Sequence, residues 1–134
     1  MAVTPVPRAL QPDHGPRLSR AEYERRILAL NASGPAMPTR AQEDALRQGE
    51  MDLLIDYHLG VDFPQDRRKR VLEEHRKLRH RFAWRLLASV LTHPLNPSAG
   101  LARAQVRSFS RLLDDAELAT LFDLTLDDVE RLRR

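Results

Sequence analysis

The chain has no cysteine among its 134 residues, which excludes a disulfide framework, a thiolate zinc site and a cysteine nucleophile. Its five glycines are scattered, so no glycine-rich loop is available to hold a phosphate. No serine-nucleophile motif occurs either. These absences favour a protein that works by binding, and we expect no cofactor and no metal. A cysteine-free composition also fits a reducing cytoplasm, where we expect the protein to be located.

Long apolar runs are missing as well. The longest, Phe82–Leu91, is interrupted by Arg85 and is far shorter than the roughly 20 apolar residues of a membrane span. The N-terminus has no apolar h-region behind a positive n-region, so we expect no secretory signal. A chain of this length is expected to form one domain with its own core.

Charge is sorted along the chain. Residues 1–60 carry 7 basic and 8 acidic residues, residues 61–112 carry 12 and 4, and residues 113–134 carry 3 and 7. The formal net charge of +3 therefore combines a strongly basic middle with an acidic end. A basic block can attract nucleic acid or an acidic partner, whereas the acidic block can neutralise it within the same fold. The sequence leaves both possibilities open.

The N-terminus is rich in proline, which removes backbone donors and blocks helix formation. Four prolines fall within residues 1–17, and we predict that this segment is a flexible leader, with a docking arm as the alternative. Residues 18–134 are predicted to form a single helical domain.

Capping signals and apolar periodicity predict a small all-α bundle of about five to six helices. The first helix begins at Ser19, with Glu22 completing a capping box, and ends before Gly34. The second begins at Thr39, with Gln42 in the same role, and ends at Gly60. The remaining predicted spans are about 65–92, a helix after Gly100, 114–122 and 126–133.

The third predicted helix is long and has two different halves. Its first half, residues 67–81, is highly charged, and its second half is apolar on nearly every side, which is typical of a buried helix. We predict that this apolar half forms the central core or a subunit interface through Phe82, Trp84, Leu86, Leu87, Val90 and Leu91. Because so apolar a segment suits self-association, we also expect a homodimer.

Basic residues of the third and fourth helices form the candidate site. Arg103, Arg107 and Arg111 recur every four residues, opposite a core face of Ala102, Val106, Phe109 and Leu113. The predicted surface comprises Arg67, Arg68, Lys69, Arg70, Arg76, Lys77, Arg79, Arg103, Arg107 and Arg111. Two predicted intrahelical pairs, Asp66–Arg70 and Glu73–Lys77, leave most of this charge unmatched. No aromatic platform accompanies the run, so a nucleic acid would be held mainly by its phosphates.

The last 22 residues have a pattern of their own. A small residue, Ala119, lies between apolar positions, and the apolar set is Leu118, Phe122, Leu124, Val129 and Leu132. The stretch resembles a helix-turn-helix unit, which implies a DNA-reading helix. Two departures favour a structural hairpin instead: Asp123 stands where the turn usually has glycine, and Asp127, Asp128 and Glu130 have the wrong sign to face phosphates.

Histidines and carboxylates offer one weaker alternative. His75 and His80 are five residues apart, too far around a helix to share a ligand, and His75 lies on the apolar stripe with Val71, Leu78 and Phe82. Asp52, Asp56 and His58 form the best polar cluster, as a metal-dependent enzyme would need. The sequence therefore favours a non-catalytic regulatory or adaptor protein that binds nucleic acid or an acidic protein surface. A protein–protein or structural dimer role is the alternative, and an enzyme using the Asp52 cluster is the third.

Overall fold

The computed structural model describes the backbone of residues 12–92 and 99–134, and the side chains of residues 12–81 and 103–134. The described chain contains no strand, and its helices are α1 (Arg20–Ala32), α2 (Arg40–His58), α3 (Gln65–Thr92), α4 (Ala99–Phe109), α5 (Asp115–Phe122) and α6 (Leu126–Arg133). The predicted all-α bundle with one long helix and a C-terminal helical hairpin is confirmed.

Helix starts follow the capping signals closely. Thr39 and Gln42 make the full reciprocal box at the start of α2, with bonds of 3.2 and 2.9 Å. Ser19 makes only half of its predicted box, accepting a bond from the Glu22 N–H at 3.1 Å. The Glu22 carboxylate pairs with arginines of α1 instead. A side-chain cap alone thus defines the start of α1.

The core lies where α2, α3, α4, α5 and α6 meet. Its fully buried apolar side chains come from every one of these helices and from the turns between them: Met51, Ile55, Leu59, Phe63, Val71, Leu78, Val106, Phe109, Leu113, Leu118, Ala119, Leu121, Val129 and Leu132. The predicted core face of α4 is confirmed at Val106, Phe109 and Leu113. Phe109 also packs on Phe122, with ring centroids 5.4 Å apart.

The apolar face of α2 is centred on the edge of the predicted arc and not on its middle. Apolar spacing predicts a face of Leu46, Leu53 and Tyr57, widened by Met51, Leu54 and Ile55, but the first three side chains are half-buried. The buried positions are Met51 and Ile55. The reason is that α2 packs on two sides, because the Tyr57 ring stacks on Tyr23 of α1 at 4.6 Å. No residue of α1 is buried, so α1 is a peripheral helix.

Residues 12–18 run across the end of α2 as an extended segment. The His14 N–H donates to the Leu59 carbonyl at 3.2 Å, and its carbonyl accepts from the Asp62 N–H at 2.8 Å. Gly60 has a φ of 124°, and a side chain at this position would run into the His14 carbonyl. The end of the predicted leader is therefore hydrogen-bonded to the bundle, while residues 1–11 lie outside the described residues.

The C-terminal hairpin is closed by an unusual residue. Asp123 ends α5 in the left-handed conformation, with φ 54° and ψ 50°. Glycine is the usual residue at this position of a helix end, so Asp123 adopts the backbone shape that the helix-turn-helix pattern requires. Both helices of the hairpin begin with full capping boxes, Asp114–Glu117 and Thr125–Asp128.

The predicted apolar core of the long helix, from Phe82 to Leu91, lies outside the residues whose side chains are described, as does Ala102. Its placement stays a prediction. Within the described part of the chain, no helix combines the length and apolarity needed to cross a membrane.

Candidate functional site

Arg68, placed by the sequence on the binding surface, points into the protein. Its side chain is only 6% exposed, and its guanidinium bridges two carboxylates of α2, with Nη1 at 2.7 Å from Asp52 and Nη2 at 2.9 Å from Asp56. Burial opposes the charge, but the two carboxylates outweigh it and raise the pKa of Arg68. Arg68 therefore joins α3 to α2 and does not belong to the surface.

Arg67 also has a structural role. Its guanidinium donates to the Leu112 carbonyl at 2.7 Å and pairs with Glu117 at 2.5 Å, and it lies over the Phe63 ring. Glu117 is buried and also contacts His14 Nε2 at 2.7 Å. Burial alone would raise the pKa of Glu117, but hydrogen bonds from Arg67, the Asp114 backbone and His14 lower it overall. This cluster ties α3 and the N-terminal segment to the hairpin.

Arg79 and Arg76 are partly neutralised by neighbouring carboxylates. Arg79 pairs with Asp44 of α2 at 3.2 Å, and His80 Nε2 lies 2.8 Å from the same carboxylate. These contacts, with the His80 hydrogen bond the strongest, lower the pKa of Asp44. Arg76 pairs with Glu73 one turn earlier on α3. Glu73 therefore takes Arg76 and not the predicted Lys77, whose nearest carboxylate is Glu74 at 3.9 Å.

Four exposed cations, Lys69, Arg70, Lys77 and Arg111, converge on one groove. It lies between α3 and the end of α4 and has a volume of about 480 Å³. Its lining residues are Lys69, Arg70, Glu73, Glu74, Lys77, Ser108, Arg111 and Leu112. No ion pair involves Lys69, Arg70 or Arg111 within the described side chains. We call this feature the basic groove.

Only one member of the predicted α4 stripe reaches the basic groove. Arg111, just after α4, lines it. Arg107 donates to the carbonyl oxygen of Arg134 at the chain end, and Arg103 is exposed. Neither of these two residues is part of the groove lining. Among the described side chains, the predicted α4 stripe therefore contributes Arg111 to this groove, while Arg103 and Arg107 lie outside its lining.

The acidic end of the chain forms a groove of its own, which we call the acidic groove. It has a volume of about 820 Å³ and is lined by Ser110, Asp114, Asp115, Ala116, Leu126, Asp127, Glu130 and Arg133. The charges of α6 therefore line the hairpin and not the basic groove. Within the described side chains, the contact of the acidic chain end with a cation of α3 is the pair of Glu117 with Arg67.

The polar cluster that suggested an enzyme is not assembled as expected. Asp52 and Asp56 do share a face of α2, but both bind the Arg68 guanidinium. His58 makes no ion pair with Asp52 or Asp56 among the described side chains, and burial lowers its pKa, with Arg17 acting in the same direction and Asp123 opposing. Within the described residues no group of three or more histidine, aspartate or glutamate side chains has a geometry that could hold a metal ion.

Several residues of this region were not foreseen. Ser108 and Leu112 complete the wall of the basic groove opposite α3, and Glu73 and Glu74 lie inside it. Glu117 falls in the first turn of the predicted 114–122 helix, but its burial beneath Arg67 depends on tertiary packing. Helical spacing did place Lys69, Arg70, Glu73 and Lys77 on neighbouring parts of one surface.

Comparison with known proteins adds no assignment: no family model, curated protein or solved structure matches this chain.

Proposed function

We propose that this protein is a non-catalytic adaptor that binds nucleic acid by its phosphates, through the basic groove. The observation that carries the proposal is the convergence of Lys69, Arg70 and Arg111 from two separate elements onto one open surface. These three side chains pair with no carboxylate of the described residues, in contrast to Arg67 and Arg68. Such unmatched cations are what a phosphate backbone neutralises.

The lining of the groove supports phosphate contact over base recognition. It contains no aromatic side chain on which an unpaired base could stack. It also contains no asparagine or glutamine for bidentate readout of adenine. We therefore propose a double-stranded partner that is bound with little dependence on sequence.

A binding titration with a fluorescently labelled duplex at low salt tests this proposal. The groove variant Lys69→Gln, Arg70→Gln, Arg111→Gln should weaken binding roughly thirtyfold, or about threefold for each lost phosphate contact. The matched control is Arg20→Gln, Arg25→Gln, Arg131→Gln, which removes the same charge from exposed side chains outside the groove. The control should change the affinity by less than about threefold.

Two results would contradict the proposal. One is the absence of binding by the native chain at micromolar concentration in low salt. The other is an equal loss in the groove variant and the control, because that would make the attraction a property of net charge.

Self-association is a second candidate, favoured by the acidic groove on the same molecule. The basic groove of one copy and the acidic groove of another have complementary charges, as the expected homodimer would need. Sedimentation at micromolar concentration should then show a species larger than 15.4 kDa. Asp127→Asn with Glu130→Asn should convert it to monomer.

A further inference from the structure

We infer that Glu73 and Glu74 confine a bound phosphate backbone to one end of the basic groove, so that the backbone crosses α3 and does not run along it. This inference rests on the proposed function and concerns how the same site selects its contacts. In this arrangement Glu73 and Glu74 determine, by electrostatic repulsion, which part of the groove contacts the backbone.

The order of charges along the groove motivates the inference. Lys69 and Arg70 are followed one helical turn later by Glu73 and Glu74, and one turn after that by Lys77. A spacing of four residues corresponds to about 6 Å along the helix, close to the separation of successive phosphates on one strand. A backbone that followed α3 from Lys69 to Lys77 would therefore place a phosphate against two carboxylates.

Each of the two carboxylates lies beside a cation of α3. Arg76 donates to Glu73 through two nitrogens, and this pairing lowers the pKa of Glu73 below its ordinary value. The Glu74 carboxylate lies 3.9 Å from the Lys77 ammonium group and partly neutralises its charge. The far end of the groove is thus nearly neutral, while Lys69, Arg70 and Arg111 make the near end positive.

Repulsion by a surface carboxylate about 6 Å from a phosphate weakens binding by roughly threefold in a water-like dielectric. A backbone that crosses α3 at Lys69, Arg70 and Arg111 avoids this repulsion and contacts about three phosphates. Lys77 should therefore contribute little to duplex binding by the native chain, and Lys77→Gln should change the affinity by less than about twofold.

The test is the affinity of Glu73→Gln, Glu74→Gln for the same labelled duplex at low salt. Removing both carboxylates should tighten binding about threefold, because the backbone can then add one phosphate contact at Lys77. In that background Lys77→Gln should weaken binding about threefold, because Lys77 becomes available to an added phosphate. Glu74→Gln alone, which leaves Glu73 paired with Arg76, should tighten binding by less than the double variant does. The matched control Asp127→Asn, Glu130→Gln removes the same charge from the acidic groove and should change the affinity by less than twofold.

The outcomes separate the inference from the proposed function. If the native chain binds the duplex but Glu73→Gln, Glu74→Gln does not bind more tightly than the control variant, the inference is wrong and the function stands. A loss on Lys77→Gln in the native background would also overturn it, because the backbone would then follow α3. If the native chain binds no duplex, the proposed function fails and the inference fails with it.

Discussion

Two sets of basic residues on and beside α3 have opposite environments. Arg67, Arg68 and Arg79 turn inward and each meets a carboxylate from another part of the chain. Lys69, Arg70 and Arg111 turn outward, line an open groove and meet no carboxylate within the described residues. Arg68 and Arg70 show the contrast best, because they are only two residues apart.

A basic run in a sequence is therefore not a measure of a basic surface. An inward-facing arginine that bridges two helices contributes to the fold, and the carboxylates that it contacts neutralise its charge. An outward one costs the fold little and remains available to a partner. Stability and binding should therefore depend on different members of one basic segment.

The largest effect is expected at Arg68. Arg68→Ala should destabilise the fold by roughly 3–5 kcal/mol, because it leaves the carboxylate of Asp56 half-buried without its partner. Arg70→Ala should stay within about 0.5 kcal/mol of the native chain, since Arg70 is exposed. Urea unfolding of the two variants measures both. Equal midpoints for Arg68→Ala and Arg70→Ala would remove the distinction between the two sets.

A pH effect is expected from His75, on the inward side of α3. Burial, aided by Arg79, lowers the pKa of His75 from 6.5 to about 4, and its Nδ1 has no hydrogen-bond partner among the described residues. The unfolded chain therefore binds the proton more readily, and stability should fall by about 2 kcal/mol between pH 7 and pH 5. Carboxylates with lowered pKa values, such as Glu117, act only below about pH 4.5.

The pH effect has a simple control. His75→Leu should remove most of the fall in unfolding free energy between pH 7 and pH 5, leaving the smaller dependence of His58, which has the same sign. A His75→Leu variant with the full native pH dependence would show that another group titrates in this range.

A smaller loss is expected at Glu117, the partner of inward-facing Arg67. Glu117→Gln keeps the size of the side chain but removes the charge that holds Arg67 and His14, so it should cost about 1.5 kcal/mol. Glu130→Gln, at an exposed pair on α6, should cost less than about 0.5 kcal/mol. Thermal unfolding compares the two. If Glu117→Gln also weakened duplex binding, the inward set would share in the binding site.

The smallest effect is expected in the hairpin, which has neither set of cations. Asp123 adopts a left-handed conformation that glycine tolerates better, so Asp123→Gly should stabilise the fold by about 0.5–1 kcal/mol. Duplex binding should not change, because Asp123 is outside the basic groove. A change in affinity, measured by the same titration, would mean that the hairpin takes part in recognition.

Most of the fold was predictable because its signals are local. Thr39 with Gln42, and Thr125 with Asp128, mark helix starts by bonds within four residues, and the predicted third helix of about 65–92 matches α3. The direction of each basic side chain was not predictable. Arg68 finds its carboxylates on α2, 12 and 16 residues earlier, and Arg67 finds Glu117 50 residues later. These pairings depend on helix packing, which periodicity along one helix does not specify.

The salt dependence of duplex binding tests the division between the two sets most directly. Binding by Lys69, Arg70 and Arg111 should give a plot of log association constant against log salt with a slope of about −3, since each neutralised phosphate contributes roughly −0.9. Arg70→Gln should reduce the magnitude of that slope by about one. A slope near zero, or a slope that Arg70→Gln leaves unchanged, would contradict the assignment of the outward cations to phosphate binding.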